Sequence, residues 1–271
     1  MDSFSQKTAI VTGGASGIGR AVCQELARRG AQVIIADINA DLMKETAEEI
    51  SKTGGHVKTS ALDVRDFEAV KKLVDDTVAE YGRLDYMFNN AGIGVFGEAR
   101  DFSYEDWKNV IDVNLYGVVN GVAAAYPIMV KQASGHIINT ASLAGLMPTA
   151  GLISYAASKH AVVGLSYSLR IEGAALGVKT SVVCPGFVQT PIYYSKTVKM
   201  DREKFIKLAP KGLPPEQCAR AILRGVERNK ATIVMPPKVL LFWFLHRLRP
   251  EILLWFWGWN MPKMRALRSE K

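Results

Sequence analysis

The sequence predicts a doubly wound α/β fold: a seven-stranded, mostly parallel sheet with helices on both faces. Three observations carry the expectation. Seven short apolar runs punctuate the chain, helical periodicity fills the stretches between them, and glycines cluster where the first run turns into the first helix. The runs cover residues 8–11, 32–36, 57–61, 84–88, 135–139, 178–183 and 232–235. Each is followed by enough chain for a helical crossover, the connection that neighbouring parallel strands require. No repeat of fixed period and no low-complexity linker interrupts the pattern. Residues 1–236 therefore read as one domain and 237–271 as a C-terminal extension.

Composition agrees with a single large core. Of 271 residues, 48% are hydrophobic and 22% charged, and Gly outnumbers Pro by 23 to 11, which excludes disordered, collagen-like and disulfide-stapled classes. Cys23, Cys184 and Cys218 are scattered, without a CxxC pair or a histidine at ligand spacing, so no metal site is expected. The net charge is +8, but seven basic and two acidic residues beyond position 236 account for five of those charges. What is left on the body is too little and too dispersed for nucleic acid, and no nucleic-acid-binding motif accompanies it. The N-terminus reaches its first strand by Lys7, without a charged start, apolar stretch and cleavage site, so a cytoplasmic location is expected.

The first strand ends in Thr12-Gly13-Gly14-Ala15-Ser16-Gly17-Ile18-Gly19, and a helical stretch follows. Without Cβ atoms, backbone can approach a pyrophosphate closely, and the free N–H groups of the helix start attract its charge. A glycine turn can equally be purely structural. The second strand closes at Asp37, 18 residues after Gly19, where a carboxylate would accept hydrogen bonds from an adenosine ribose and repel a 2′-phosphate. Position 16 is Ser, and Ile38 and Asn39 follow Asp37, so no cation is placed to welcome that phosphate. Capping of the next helix is the competing role for Asp37. Asp63-Val64 closes the third strand, and Asn89-Asn90-Ala91-Gly92 the fourth, at the carboxyl edge where open sheets bind ligands.

Tyr155-Ala-Ala-Ser-Lys159 falls in the helical stretch 153–175, which puts phenol and ammonium on one face. A neighbouring cation stabilises phenolate and makes tyrosine a usable base near neutral pH. Alone, the spacing suits a solvated helix face as well.

Taken together, TGGASGIG, Asp37, NNAG, Asn114, Ser142, YAASK and Pro185-Gly186 stand in an order and spacing that resemble the short-chain dehydrogenase/reductase family, from about Lys7 to Val234. The resemblance implies a Rossmann fold and an NAD-dependent oxidoreductase working on CH–OH groups. It implies that Tyr155 is the acid/base, that Lys159 holds the nicotinamide ribose, and that Ser142 donates to the substrate oxygen. Asn114, in the stretch 104–130, would disturb the helix and hold a water beside Lys159. Gly13, Ser16, Gly17, Ile18, Gly19, Asp37, Asp63, Val64, Asn90, Ala91, Gly92, Pro185, Gly186, Val188 and Thr190 would surround the cofactor, with Thr190 at its carboxamide. A homodimer or homotetramer formed through the helices of Asn114 and Tyr155 is also implied. An NADPH-dependent 3-oxoacyl reductase is the runner-up, and a non-catalytic dinucleotide-binding scaffold the alternative of another class.

Phe96, Leu143, Leu152, Phe187, Ile192 and Tyr193 are candidates for the wall of a lipophilic alcohol or ketone pocket, or for core and lid packing, and 192–208 reads as a lid. The extension holds four of the five tryptophans in two apolar runs separated by Pro250. Neither run reaches the roughly 20 residues of a membrane span. An in-plane peripheral membrane contact through 237–271 is one expectation, and a subunit interface or a cap on the pocket the other.

Overall fold

The computed structural model describes residues 2–208, 210–237 and 239–269. Lys238, Glu270 and Lys271, counted above in the basic tail, lie outside them. The strands are β1 (Thr8–Thr12), β2 (Gln32–Asp37), β3 (His56–Ala61), β4 (Tyr86–Asn89), β5 (Val95–Phe96), β6 (Gly135–Thr140), β7 (Val178–Pro185), β8 (Lys196–Thr197) and β9 (Thr232–Met235). The helices are α1 (Gly17–Arg28), α2 (Ala40–Lys52), α3 (Phe67–Tyr81), α4 (Tyr104–Ile111), α5 (Gly117–Lys131), α6 (Ile153–Gly173), α7 (Arg202–Leu208), α8 (Pro215–Glu227), α9 (Val239–Leu248) and α10 (Pro250–Arg265).

The seven predicted strands form one sheet in the order β3-β2-β1-β4-β6-β7-β9, and every neighbouring pair is parallel. Alternation along the strands feeds two cores. Val11 and Ile35 pack beneath α1 and α8 with Leu26, Ile222 and Leu223, while Ile10 and Ile34 face the other way, onto Val74, Ala125 and Met129 of α3 and α5. Strand order reverses between β1 and β4, which opens a crevice at their carboxyl ends.

Three local features depart from the sequence expectations, and a fourth, at Asn114, meets one. β3 is an edge strand with exposed and half-buried side chains, legible from its β-branched residues rather than from burial. It stops at Ala61, so Asp63 and Val64 lie in the turn beyond it. The helical stretch 104–130 is interrupted by a π-helical turn, Asp112–Tyr116, between α4 and α5. β5 and β8 pair as a separate two-stranded ribbon, too short to show any periodicity in sequence.

Candidate active site

The loop after β1 and the loop after β4 are built against each other at the crevice. A Cβ on Gly13, whose φ is +62°, would stand 2.8 Å from Ala91 Cα, and one on Gly19 would stand 2.0 Å from Gly13 O. Only glycine fits either position. The Asn90 side chain donates to Thr12 O (3.1 Å) and Gly13 O (3.3 Å), and the amides of Asn90 and Ala91 donate to Thr12 Oγ1 (2.9 and 3.1 Å). α1 starts at Gly17 without a side-chain cap, because the Ser16 hydroxyl makes no capping bond, which leaves the first amides of the helix to a ligand. Gly17 (φ +51°) abuts Thr190, whose Cγ2 would meet a Cβ there at 3.0 Å. The cradle therefore gathers Gly13, Gly17, Gly19, Asn90, Ala91 and Thr190 from three separated stretches of chain.

Asp37 stands at the end of β2, with Oδ2 accepting from Ala15 N (3.1 Å) and Oδ1 from Asn39 N (3.1 Å). Capping of α2 falls instead to Asn39, whose Oδ1 accepts from Leu42 N (3.0 Å). Asp37 is thus held at the rim of the cradle by backbone amides. This glycine-lined, uncapped helix start with a carboxylate at its edge fits a dinucleotide. Asp63 is less free: Arg65 binds both its oxygens, and that hydrogen bonding holds its carboxyl below the usual range.

The second cluster grows from α6. Tyr155 and Lys159 project together, with Lys159 Nζ 5.5 Å from the tyrosine ring centroid. Nζ also donates to Thr140 O (2.8 Å) at the end of β6, and the side chain is only 2% exposed. Ser142, just past β6, accepts from Ala144 N (3.1 Å) and donates weakly to Pro185 O (3.5 Å). Asn114 sits in the π-helical turn, fully buried. Its Oδ1 accepts from Ile93 N (2.8 Å), and its Nδ2 donates to Ile93 O (3.0 Å) and Ser158 Oγ (3.2 Å). The disturbance expected at this asparagine is therefore real, and π turns favour functional positions. Gly92 joins the two clusters, since a Cβ there would stand 3.3 Å from Asn114 Oδ1 and 3.4 Å from Lys159 Nζ.

Burial dominates the titration of this pair. It pushes the Tyr155 phenol up, an effect that the Ser142 hydroxyl beside it opposes only in part. It pushes the Lys159 ammonium down to about 8. Lys159 thus keeps its charge at neutral pH, although dehydration weakens its hold on the proton.

The remaining expected residues divide by environment. Pro185 ends β7 and Gly186 follows, donating to Met235 O (2.8 Å). Ile18 and Val188 turn their side chains into the α1–α8 core, so only their backbone is left to face a ligand. Phe187 and Tyr193 stack at 6.4 Å with Phe187 44% exposed, and burial together with Tyr155 pushes the Tyr193 phenol up to about 12. Phe96 is not free to form a pocket wall: it is buried in a cluster with Met200 and Leu267 and packs 4.7 Å from the Phe205 ring.

Sequence reading missed a buried polar chain behind the site. Asn89 donates to Asn139 Oδ1 (2.8 Å), Asn139 donates to Ser166 Oγ (3.0 Å), and Ser166 donates to Val162 O (2.6 Å), which ties β4 and β6 to α6. Polar residues inside otherwise apolar runs were its only sequence signal. Ser158, inside YAASK itself, was missed as well; it donates to Tyr155 O (2.7 Å).

Fold and site together define a dinucleotide-binding oxidoreductase architecture, and comparison with known proteins agrees. The short chain dehydrogenase family model matches residues 7–201. The chain is 34% identical over 224 residues to a cyclohexanol dehydrogenase of Acinetobacter sp., covering 82% of this chain and 88% of that one. It is 36% identical over 219 residues to the 3-oxoacyl-[acyl-carrier-protein] reductase FabG of Thermotoga maritima, covering 80% and 89%. A crystal structure of a short-chain dehydrogenase/reductase from Burkholderia phymatum in complex with NAD superposes with a TM-score of 0.86 at 30% identity, covering 93% and 97%. The chain belongs to the short-chain dehydrogenase/reductase family. It is an oxidoreductase of that family, whose members use NAD(P).

Proposed function

We propose that the protein is an NAD-dependent dehydrogenase interconverting a secondary alcohol and a ketone on a lipophilic substrate of steroid, retinoid or fatty acyl type. The observation that carries this reading is the Tyr155–Lys159 pair, one helical turn apart with the ammonium 5.5 Å from the phenol ring and Gly92 of the cradle against it. In alcohol oxidation Tyr155 takes the hydroxyl proton, and in reduction it returns it. Ser142 Oγ donates to the substrate oxygen as negative charge develops there. Lys159, cationic at pH 7, stabilises the phenolate and holds the nicotinamide ribose hydroxyls. Asn114, anchored at Ile93 and Ser158, fixes the floor of the site behind Lys159 and holds the relay water. NAD, when bound, supplies the hydride acceptor and a second positive charge beside the phenol.

Preference for NAD rests on Asp37. Its carboxylate, fixed by two backbone amides at the rim, accepts from ribose hydroxyls and repels a 2′-phosphate. The NAD complex of the Burkholderia relative supports the choice. The lipophilic substrate class is supported by the Phe187–Tyr193 stack and by the likeness to a cyclohexanol dehydrogenase. The likeness to FabG favours a second reading, an NADPH-dependent 3-oxoacyl reductase. A tighter affinity for NADP than for NAD would establish that reading over ours.

Tyr155→Phe tests the proposal directly. The variant should bind dinucleotide as the parent does and lose about 10²–10⁴-fold in turnover. Retained turnover would refute the assignment, and loss of both properties in a folded variant would refute the division of roles. Subunit pairing belongs to the same reading, since Tyr104, Tyr116 and Ile171 stand exposed on the helices carrying Asn114 and Tyr155. Sedimentation velocity on Ile171→Glu checks it.

A further inference from the structure

The two C-terminal helices present an apolar surface that nothing among the described residues covers. α9 turns Trp243 inward onto the cluster around Val162 and Val182, yet leaves Leu241, Phe244 and Leu248 exposed. α10 exposes Ile252, Trp255 and Trp259, and the two tryptophans, 69% and 72% exposed, stack at 5.7 Å. Such a patch marks a contact surface. The charges beside it indicate the partner. Arg247, Arg249 and Lys263 are exposed and pair with no carboxylate among the described residues, against one acidic neighbour, Glu251.

Uncovered tryptophans flanked by basic side chains without a carboxylate partner among the described residues, Arg247 lying over the Trp243 ring at 5.6 Å, match the boundary of a bilayer, where indole rings sit at headgroup level and cations meet anionic lipid. A second copy of the chain would present the same cations to themselves. Spanning is ruled out by length: α9 has 10 residues and α10 has 16, or about 15 and 24 Å, against a hydrocarbon core of about 30 Å. Among the described residues, the one helical run long and apolar enough to cross is Tyr104–Lys131, which holds Asn114 inside the fold.

We propose that α9 and α10 dock the protein on an anionic lipid bilayer, lying in its plane. The far end of the extension shows what this docking would serve. Leu267 is buried against Phe96 and Met200, and its carbonyl accepts from Asp201 N (2.8 Å). Arg268 binds Asp101 (2.6 and 3.1 Å) and Glu98 (3.2 Å), and Arg265 binds Glu98 (3.3 Å). The extension is thereby stitched to the 96–101 loop and the 199–201 segment, which flank the stretch leading into the Tyr155 helix. Lipophilic substrate would then enter from the bilayer side; this consequence, unlike the docking itself, rests on the dehydrogenase reading.

Tryptophan fluorescence tests the docking on the full chain, because Trp243, Trp255, Trp257 and Trp259 make up four of its five indoles. Vesicles of phosphatidylcholine and phosphatidylglycerol at 3:1 should bind the protein and shift its emission to the blue, and brominated acyl chains should quench it. Vesicles of phosphatidylcholine alone should bind at least tenfold more weakly. Trp255→Gln/Trp259→Gln should lower partitioning at least tenfold, and Arg247→Gln/Arg249→Gln should lower it on the anionic vesicles only. Both should oxidise cyclohexanol with NAD in vesicle-free buffer at the parental rate, so that failure of docking and failure of the dehydrogenase reading are read separately. Absence of partitioning overturns the proposal. So does a tryptophan variant that falls from dimer to monomer in sedimentation while its lipid affinity stays unchanged, which would assign the face to a second copy.

Discussion

Replacing Lys159 by Met should abolish catalysis while relieving the fold of a buried charge. Lys159 is 2% exposed, and burial lowers its pKa from 10.5 to about 8. At 1.36 kcal/mol per unit, keeping the ammonium inside the protein costs about 3 kcal/mol at pH 7. Met matches the length and volume of the stem closely enough to avoid a large cavity. It leaves Thr140 O without the 2.8 Å donor, a loss of about 1–3 kcal/mol. At pH 7 the two effects nearly cancel, and the variant should lie between parental stability and about 2 kcal/mol above it.

The pH dependence separates the terms. Between pH 8 and 10.5 the unfolded chain holds a proton at this lysine that the folded chain has released, so parental stability rises with pH across that window and the full cost applies below pH 8. Met cannot titrate. Urea unfolding at pH 7 and at pH 10.5, with unchanged m-values, should show the advantage of Lys159→Met falling by about 3 kcal/mol between the two conditions. Tyr155 and Cys184, the titratable neighbours, are present in both proteins, and burial holds both of their pKa values up. Stability curves that run parallel within 1 kcal/mol would show that Lys159 is not a dehydrated cation, and with it the proposed charge beside Tyr155 would fall.

Other consequences follow from the same geometry. Asp37→Ser should raise NADP affinity relative to NAD by at least about tenfold, one or more increments of 1.4 kcal/mol, as read by dinucleotide titration; an unchanged ratio would remove Asp37 from the ribose site. Gly19→Ala puts a methyl 2.0 Å from Gly13 O, so dinucleotide affinity should fall to undetectable levels while urea stability drops by more than about 1 kcal/mol. His136, buried between strands with its pKa pushed down to about 3, stays neutral in the fold while the unfolded chain protonates near 6.5. Stability should therefore fall as pH drops from 6.5 towards 3, by up to about 5 kcal/mol, and His136→Gln should flatten that slope in acid unfolding. Ser181 donates its proton to Lys230 O, so the neutral ring donates through Nε2 to Ser181 Oγ, a bond that the glutamine amide can replace.

What the sequence disclosed follows from which interactions leave a period or a motif. The interior strands were legible because a parallel sheet covered on both faces writes continuous apolar runs such as Val33–Ala36, with most ends off by one or two residues, as at Leu84, whereas the edge strand β3 showed only through its β-branched residues. Asn114 was legible as a helix disturbance through the family resemblance; helix propensity alone would not have singled it out, since Asn109 and Asn120 of the same stretch sit in regular helix. The β5–β8 ribbon was not, since two residues per strand show no alternation. Nor was the burial of Phe96: the Leu267 and Met200 that enclose it lie more than 100 residues away, and pairwise packing across that distance leaves no local trace.

The letters of the motifs also do two different jobs, which sequence cannot separate. In NNAG, Asn89 braces β4 to Asn139, and the Asn90 amide is spent on Thr12 O and Gly13 O. Asn90 shapes the cradle by holding the glycine loop, whereas Asn89 braces the sheet behind the site. Asn90→Ala should therefore weaken dinucleotide binding by releasing the glycine loop, with raised amide hydrogen exchange at residues 12–19. Asp37→Ser should leave that loop protected, because its effect falls on the ribose. Where a substitution in the loop of Asn90 changes affinity without changing exchange, the side chain touches the ligand itself, and the scaffold role argued from its two backbone acceptors is wrong.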